Sequence, residues 1–166
     1  MGNCLICYKN KHCVGNLKEK YLREAAAEYE KRLSAYCKLK ITELNEYKLP
    51  DKPSPSEIAK CIETEGAAIA AKIPQNAVVA AMCIEGEMLS SESFSQKLEN
   101  LMSDESASEL CFIIGGSYGL SDEIKKRAKL KLSLSRMTFT HQISRVLILE
   151  QIYRAFQIST GGKYHK

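Results

Sequence analysis

The run Leu110 to Leu120, Leu-Cys-Phe-Ile-Ile-Gly-Gly-Ser-Tyr-Gly-Leu, passes from consecutive apolar residues straight into a loop with glycine at 115, 116 and 119. A short apolar run bounded by glycine reads as a strand covered on both faces, and glycine at its end lets another group come close to the backbone. Such a loop is by itself an ordinary way to end a strand. Its weight comes from the segments downstream of it: a second apolar segment at Leu130 to Leu134, a Ser-Arg-Met-Thr-Phe loop, a long helix, and an end carrying Tyr164, His165 and Lys166. That succession points to a small-molecule pocket with a polar tail beside it.

The rest of the chain alternates in the same manner. Cys4 to Tyr8 reads as a short strand, and Asn16 as the cap of a helix in which Leu17, Tyr21, Ala25, Tyr29 and Leu33 form the apolar face. Leu39 to Leu44 is a strand. Ser54-Pro55-Ser56-Glu57 is a capping box with proline at the first helical position, opening a helix to about Ile73, just before Pro74. Ala77 to Ile84 is a covered strand, Glu85-Gly86-Glu87 a turn, and Ser91 to Met102 an amphipathic helix through Phe94, Leu98 and Leu101. Ser121 caps a helix with Asp122 and Glu123 at its positive end, and the last helix runs from about Thr140 to Ile158. Strand and helix in alternation predict a single-domain α/β fold: a mainly parallel sheet of about five strands with helices on both faces, and ligands at the carboxyl ends of the strands.

A chain of 166 residues that is 45% hydrophobic and 27% charged can bury one substantial core. It has no apolar run long enough to span a bilayer and no secretion signal at its start, so a cytoplasmic protein is expected. Seven cysteines scattered over strands and helices suit reduced core thiols better than a disulfide framework. Cys4, Cys7, His12 and Cys13 have no second ligand cluster, and no metal is expected there. The net charge of +4 permits an anionic partner, and the cations gather in two regions, Lys18 to Arg32 and Lys125 to Arg136.

No phosphate-binding Gly-x-x-x-x-Gly-Lys loop, nucleophile elbow or His-Glu-x-x-His pair occurs, and glycines 115, 116 and 119 do not fit the dinucleotide fingerprint. What remains is a pocket between three strand ends, Met82 to Gly86, Gly115 to Leu120, and Leu134 to Phe139. Backbone amides and apolar walls suit an adenosyl group better than a triphosphate, which would need more cations. His141 and Arg145 stand one turn apart at the start of the last helix and could hold a phosphate or orient a base. Gly161-Gly162 would let the tail swing, bringing a stacking ring, an imidazole and a cation together.

At these residues the chain resembles the SPOUT class of knotted methyltransferases, and within it the bacterial family that methylates N3 of a pseudouridine in helix 69 of 23S ribosomal RNA. The resemblance covers Gly15 to Tyr21, Phe112 to Leu120, Leu132 to Phe139, His141 to Leu147, Glu150 to Phe156, and Tyr164 to Lys166. It implies a C-terminal deep trefoil knot, with knot and cofactor site in about 77–158 and a functional tail at 159–166. It also implies S-adenosylmethionine as donor, a homodimer, and 23S ribosomal RNA in the large subunit or assembled ribosome as partner. Carried onto this sequence, the family's cofactor contacts fall on Met82, Gly115, Leu134, Ser135, Arg136, Met137, Thr138 and Phe139. His141 and Arg145 would lie near the target base or its phosphate, and Tyr164 and His165 would come from the partner's tail. Two departures stand out: a longer, more polar opening, and Thr140 where the family commonly has proline. Two other readings share the same residues. One is a non-catalytic RNA-binding dimer that keeps the fold, and the other a flavodoxin-like small-molecule binder.

Overall fold

The structure is a computed structural model and describes residues 4–8, 17, 19–45, 47–103 and 109–162. In chain order the elements are β1 (Cys4–Tyr8), α1 (Lys20–Leu33), β2 (Leu39–Glu43), α2 (Pro55–Ala70), β3 (Ala77–Glu87), α3 (Ser91–Met102), β4 (Glu109–Ile114), α4 (Asp122–Arg127), β5 (Leu130–Leu132) and α5 (His141–Ser159). The strands form one sheet in the order β2-β1-β4-β3-β5. β3 pairs in parallel with both β4 and β5, whereas β1 runs antiparallel to β2 and to β4. β1 is therefore the one reversed strand of an otherwise codirectional set. Its apolar run carried no direction, because covered strands read alike whichever way they point.

Side chains alternate across the central strands and divide the core in two. Val78, Ala80, Leu110, Phe112 and Ile114 face the layer built by α1, α3 and α5. Val79, Ala81, Cys111 and Ile113 face the layer of α2 and α4, through Ile69 and Ile124. Ser95, buried in α3, donates its hydroxyl to the Ala155 carbonyl at 2.9 Å and ties α3 to α5. On the other side of α5, the Arg32 guanidinium lies over the rings of Tyr29 and Tyr153, and Tyr36 stacks on Phe156. α5 is thus clamped between α1 and α3. The first turn of α5 projects from this frame towards the carboxyl ends of the parallel strands.

Local start signals act as the sequence implies. Ser54 accepts from the Glu57 amide while its own amide donates to the Glu57 carboxylate at 2.7 Å, so α2 opens on the expected capping box. Because the cap is exposed and makes no core contact, Ser54→Ala should remove the cap alone. We expect a loss of about 1 kcal/mol, or roughly 2–4 °C in melting temperature by thermal denaturation, with no change in the fold. Thr140 caps α5 by accepting from the Ile143 amide at 3.4 Å, so threonine supplies this helix start where a proline was expected in relatives.

Two expectations are corrected. α1 begins at Lys20 with Glu19 at its N-cap, and Asn16 lies outside the described residues. Its core face is Leu22, Ala26 and Leu33, with Tyr29 packed against them, while Tyr21 is 65% exposed. Residues four apart drift by about 40° per step around a helix, so a face chosen on Leu33 leaves Tyr21 off it. The second correction concerns Glu85-Gly86-Glu87, which continues β3 and does not turn the chain. A Cβ at Gly86 would meet the Leu132 and Lys131 backbone at 2.6 and 2.7 Å. This glycine serves a close backbone crossing within the sheet.

Candidate active site

Beyond the carboxyl ends of β3, β4 and β5 lies a cavity of about 860 Å³. That is ample for a nucleoside-sized ligand. Its walls come from the three expected segments: Met82 to Glu85 on β3, Ile114 to Leu120 after β4, and Leu132 to Leu134 with Thr138 to His141 between β5 and α5.

The glycine loop is closed tightly on itself. The Gly119 amide donates to the Gly116 carbonyl at 3.1 Å, leaving Ser117 and Tyr118 at the tip, and Gly119 has φ +83°, where a side chain is strained. A Cβ on Gly115 would meet the Gly119 carbonyl carbon and oxygen at 2.7 Å. Only glycine at 115 keeps this turn shut against the end of β4. The facing segment is also tied by local bonds: the Ser133 amide reaches the Glu87 carbonyl at 2.9 Å, the Ser133 hydroxyl donates to the Ser135 carbonyl, and the Ser135 hydroxyl accepts from the Met137 amide. Residues 133–137 are thereby fixed to the far end of β3. Both walls of the cavity are backbone held in place by short-range hydrogen bonds.

An ion pair borders the cavity. Lys125 of α4 lies 2.6 Å from the Glu85 carboxylate. The hydrogen bond from Lys125 holds the Glu85 carboxyl below the usual carboxylate range, and the same bond raises the lysine. Cys83, beside them, has its thiol pushed up chiefly by burial and further by the Glu85 charge. It is a protonated wall residue at neutral pH.

Of the residues expected at a site, Met82, Gly115, Leu134, Ser135, Met137, Thr138, Phe139 and His141 all line this cavity. Arg136 is exposed and is not among its lining residues. Arg145, one turn beyond His141, is only 4% exposed and sits behind the wall, so the two do not face the cavity together. Tyr164 and His165 lie outside the described residues. Unanticipated contributors are Glu19, Tyr21 and Leu22 from the start of α1, and Lys125 of α4, paired with Glu85. The available signal was the family-like segment Gly15 to Tyr21, which holds Glu19 and Tyr21 but was not tied to the pocket. Among the described residues no cluster of His, Cys, Asp and Glu could hold a metal ion, and no helix is long and apolar enough to cross a membrane. Cys4 and Cys7 belong to β1, while His12 and Cys13 lie outside the described residues.

Comparison with known proteins decides the family. The family described as "Predicted SPOUT methyltransferase" matches residues 10–165, nearly the whole chain. The chain belongs to the SPOUT methyltransferase family. Curated relatives agree. The Ribosomal RNA large subunit methyltransferase H 1 of Clostridium perfringens (strain SM101 / Type A) is 51% identical over 155 residues, spanning 92% of this chain and 96% of that protein. The Ribosomal RNA large subunit methyltransferase H of Clostridioides difficile (strain 630) is 50% identical over 153 residues, with the same shares covered. That of Streptococcus pneumoniae (strain CGSP14) is 49% identical over 153 residues.

Proposed function

We propose that this protein is an S-adenosylmethionine-dependent methyltransferase acting on N3 of a pseudouridine in helix 69 of 23S ribosomal RNA, within the large subunit or the assembled ribosome. The observation that carries the reading is the convergence of Met82, Gly115, Leu134, Ser135, Met137, Thr138 and Phe139 on one cavity of about 860 Å³. The residues present suit an adenosyl group. Backbone amides and carbonyls are offered by two hydrogen-bonded loops, apolar contact by Met82, Ile114, Leu132 and Leu134, and the lining holds too few cations to neutralise a triphosphate. Close identity to proteins named ribosomal RNA large subunit methyltransferase H supplies the substrate class.

When bound, the sulfonium donor supplies an already electrophilic methyl group. The protein has then to align the acceptor nitrogen with it and accept or relay the imide proton. The glycine loop and the 133–139 segment hold the donor's nucleoside from opposite sides. His141 lies at the cavity wall on the first turn of α5, where it can orient the base or its phosphate. Arg145, buried one turn behind, serves as a positioning residue for that turn.

The same reading takes the chain as one domain with a deep C-terminal trefoil knot, in which the last strand and helix thread through the glycine loop. It is supported by the way both segments border one cavity on either side of the β3 end. It further takes the protein as a cytoplasmic homodimer whose second subunit contributes Tyr164 and His165 to complete the site, with His165 or solvent as proton acceptor. The test is transfer of a labelled methyl group to ribosomes lacking the modification. Transfer to helix 69 supports the enzyme reading, and ribosome binding with no transfer would support a non-catalytic binder instead.

A further inference from the structure

Large apolar side chains left in solvent are concentrated in one place. Tyr21, Ile84, Tyr118, Met137, Phe139 and Ile143 are all at least 39% exposed, and all six border the cavity. Among the described residues only Tyr36 and Met88 are large hydrophobics of comparable exposure elsewhere. Three of the six are aromatic, and Tyr21 is the most exposed of these at 65%. Its neighbours on α1 turn inward to the core: Leu22 is 8% exposed and Ala26 3%. A tyrosine ring held on a packed helix at the lip of a cavity, and not inside it, is placed to meet something larger than the ligand within.

The charges beside these rings select the partner. Lys20 precedes Tyr21 with its side chain 81% exposed, held only by a solvent-exposed contact to Glu24 at 3.7 Å, and exposed Arg136 precedes Met137. Subunit contacts are depleted in solvated lysine at their centres. Solvated cations interleaved with aromatic faces are instead the arrangement that takes single-stranded nucleic acid, phosphates on the cations and bases on the rings. An acceptor base must also leave its stack to reach the cavity, which exposes a face needing a partner.

We propose that the lip of the cavity is an RNA-binding surface on which the Tyr21 ring stacks against an unstacked base of the substrate, with Lys20 and Arg136 engaging the flanking phosphates. This rests on the methyl-transfer reading for the identity of the RNA, but its test does not depend on turnover. Full-length wild type, Tyr21→Ala and Tyr21→Phe are compared for affinity to ribosomes lacking the modification by filter binding. S-adenosylmethionine affinity is measured by calorimetry and oligomeric state by sedimentation. We expect Tyr21→Ala to weaken ribosome binding by roughly 5- to 150-fold, the range for losing one base stack. The loss of ribosome affinity should exceed any loss of donor affinity at least several-fold, oligomeric state should be unchanged, and Tyr21→Phe should restore binding, since the ring face is what stacks. Wild-type ribosome affinity in Tyr21→Ala overturns the proposal, as does an equal loss of donor affinity, which would make the ring part of the donor wall. A changed oligomeric state would make it a subunit contact and likewise overturn it. Ribosome binding that shows this pattern without any methyl transfer would leave the surface standing and remove the enzyme reading.

Discussion

Gly115→Trp binds no measurable S-adenosylmethionine, a loss of at least about 100-fold, equivalent to about 2.7 kcal/mol. The expectation comes from the closed loop. Any Cβ at this position meets the Gly119 carbonyl carbon and oxygen at 2.7 Å, and these are backbone atoms that no rotamer change can move aside. The turn from Gly116 to Gly119 must open, and with it one wall of the cavity is displaced. An indole then enters the space the nucleoside requires. Gly115 lies past the end of β4, so the sheet register, with Met82 opposite Ile114, has no direct reason to change. Circular dichroism should stay that of wild type while the calorimetric binding signal disappears. Wild-type donor affinity in this variant would show that the donor lies elsewhere.

The second large effect separates binding from chemistry. A chain ending at Gly162 should keep wild-type donor affinity and melting temperature, yet lose methyl transfer to ribosomes by at least about 100-fold, as the proposed part of Tyr164 and His165 in the site implies. α5 closes before the cut: the Thr160 amide donates to the Phe156 carbonyl, Gly161 to Ile158, and Gly162 to Gln157 at 2.7 Å. The Gln157 side chain, bonded to the Tyr36 hydroxyl at 2.6 Å, anchors the same end. Every described bond of α5 therefore survives truncation, and what is removed is Lys163 to Lys166, Tyr164 and His165 among them. Single-turnover assays with saturating donor read the loss directly. Full activity in the shortened chain would exclude both residues from the reaction.

Particular residues show what the sequence could and could not disclose. Three helix starts were legible because a side-chain cap is a local event: Ser54, Ser121 and Thr140 each accept from the amide three residues on, whereas α1, with Glu19 at its N-cap, has no side-chain cap to announce it. The strand ends that build the cavity were legible for a related reason, since apolar runs must stop where backbone meets solvent or ligand. The reversal of β1 was hidden because direction is set by pairing with distant strands. Gly86 was misread because a glycine that admits a crossing backbone looks the same as one that makes a turn. Tyr21 shows a third kind of failure: its spacing fits the apolar stripe well enough to be assigned to the core, and only the packed position of α1 reveals that the ring stands at the cavity lip. His141 and Arg145 share a helix face by spacing, but the depth at which that helix is buried separates them, one at the wall and one behind it.

We propose this cavity as the place where a methyl donor meets ribosomal RNA. The most direct measurement is to incubate the protein with methyl-labelled S-adenosylmethionine and ribosomes that lack the modification, then map the label by nuclease digestion and mass spectrometry. We expect about one methyl group per large subunit, on N3 of a pseudouridine in helix 69, and none with Gly115→Trp. Absence of label with the wild-type protein, or label on a different nucleotide or atom, would contradict it.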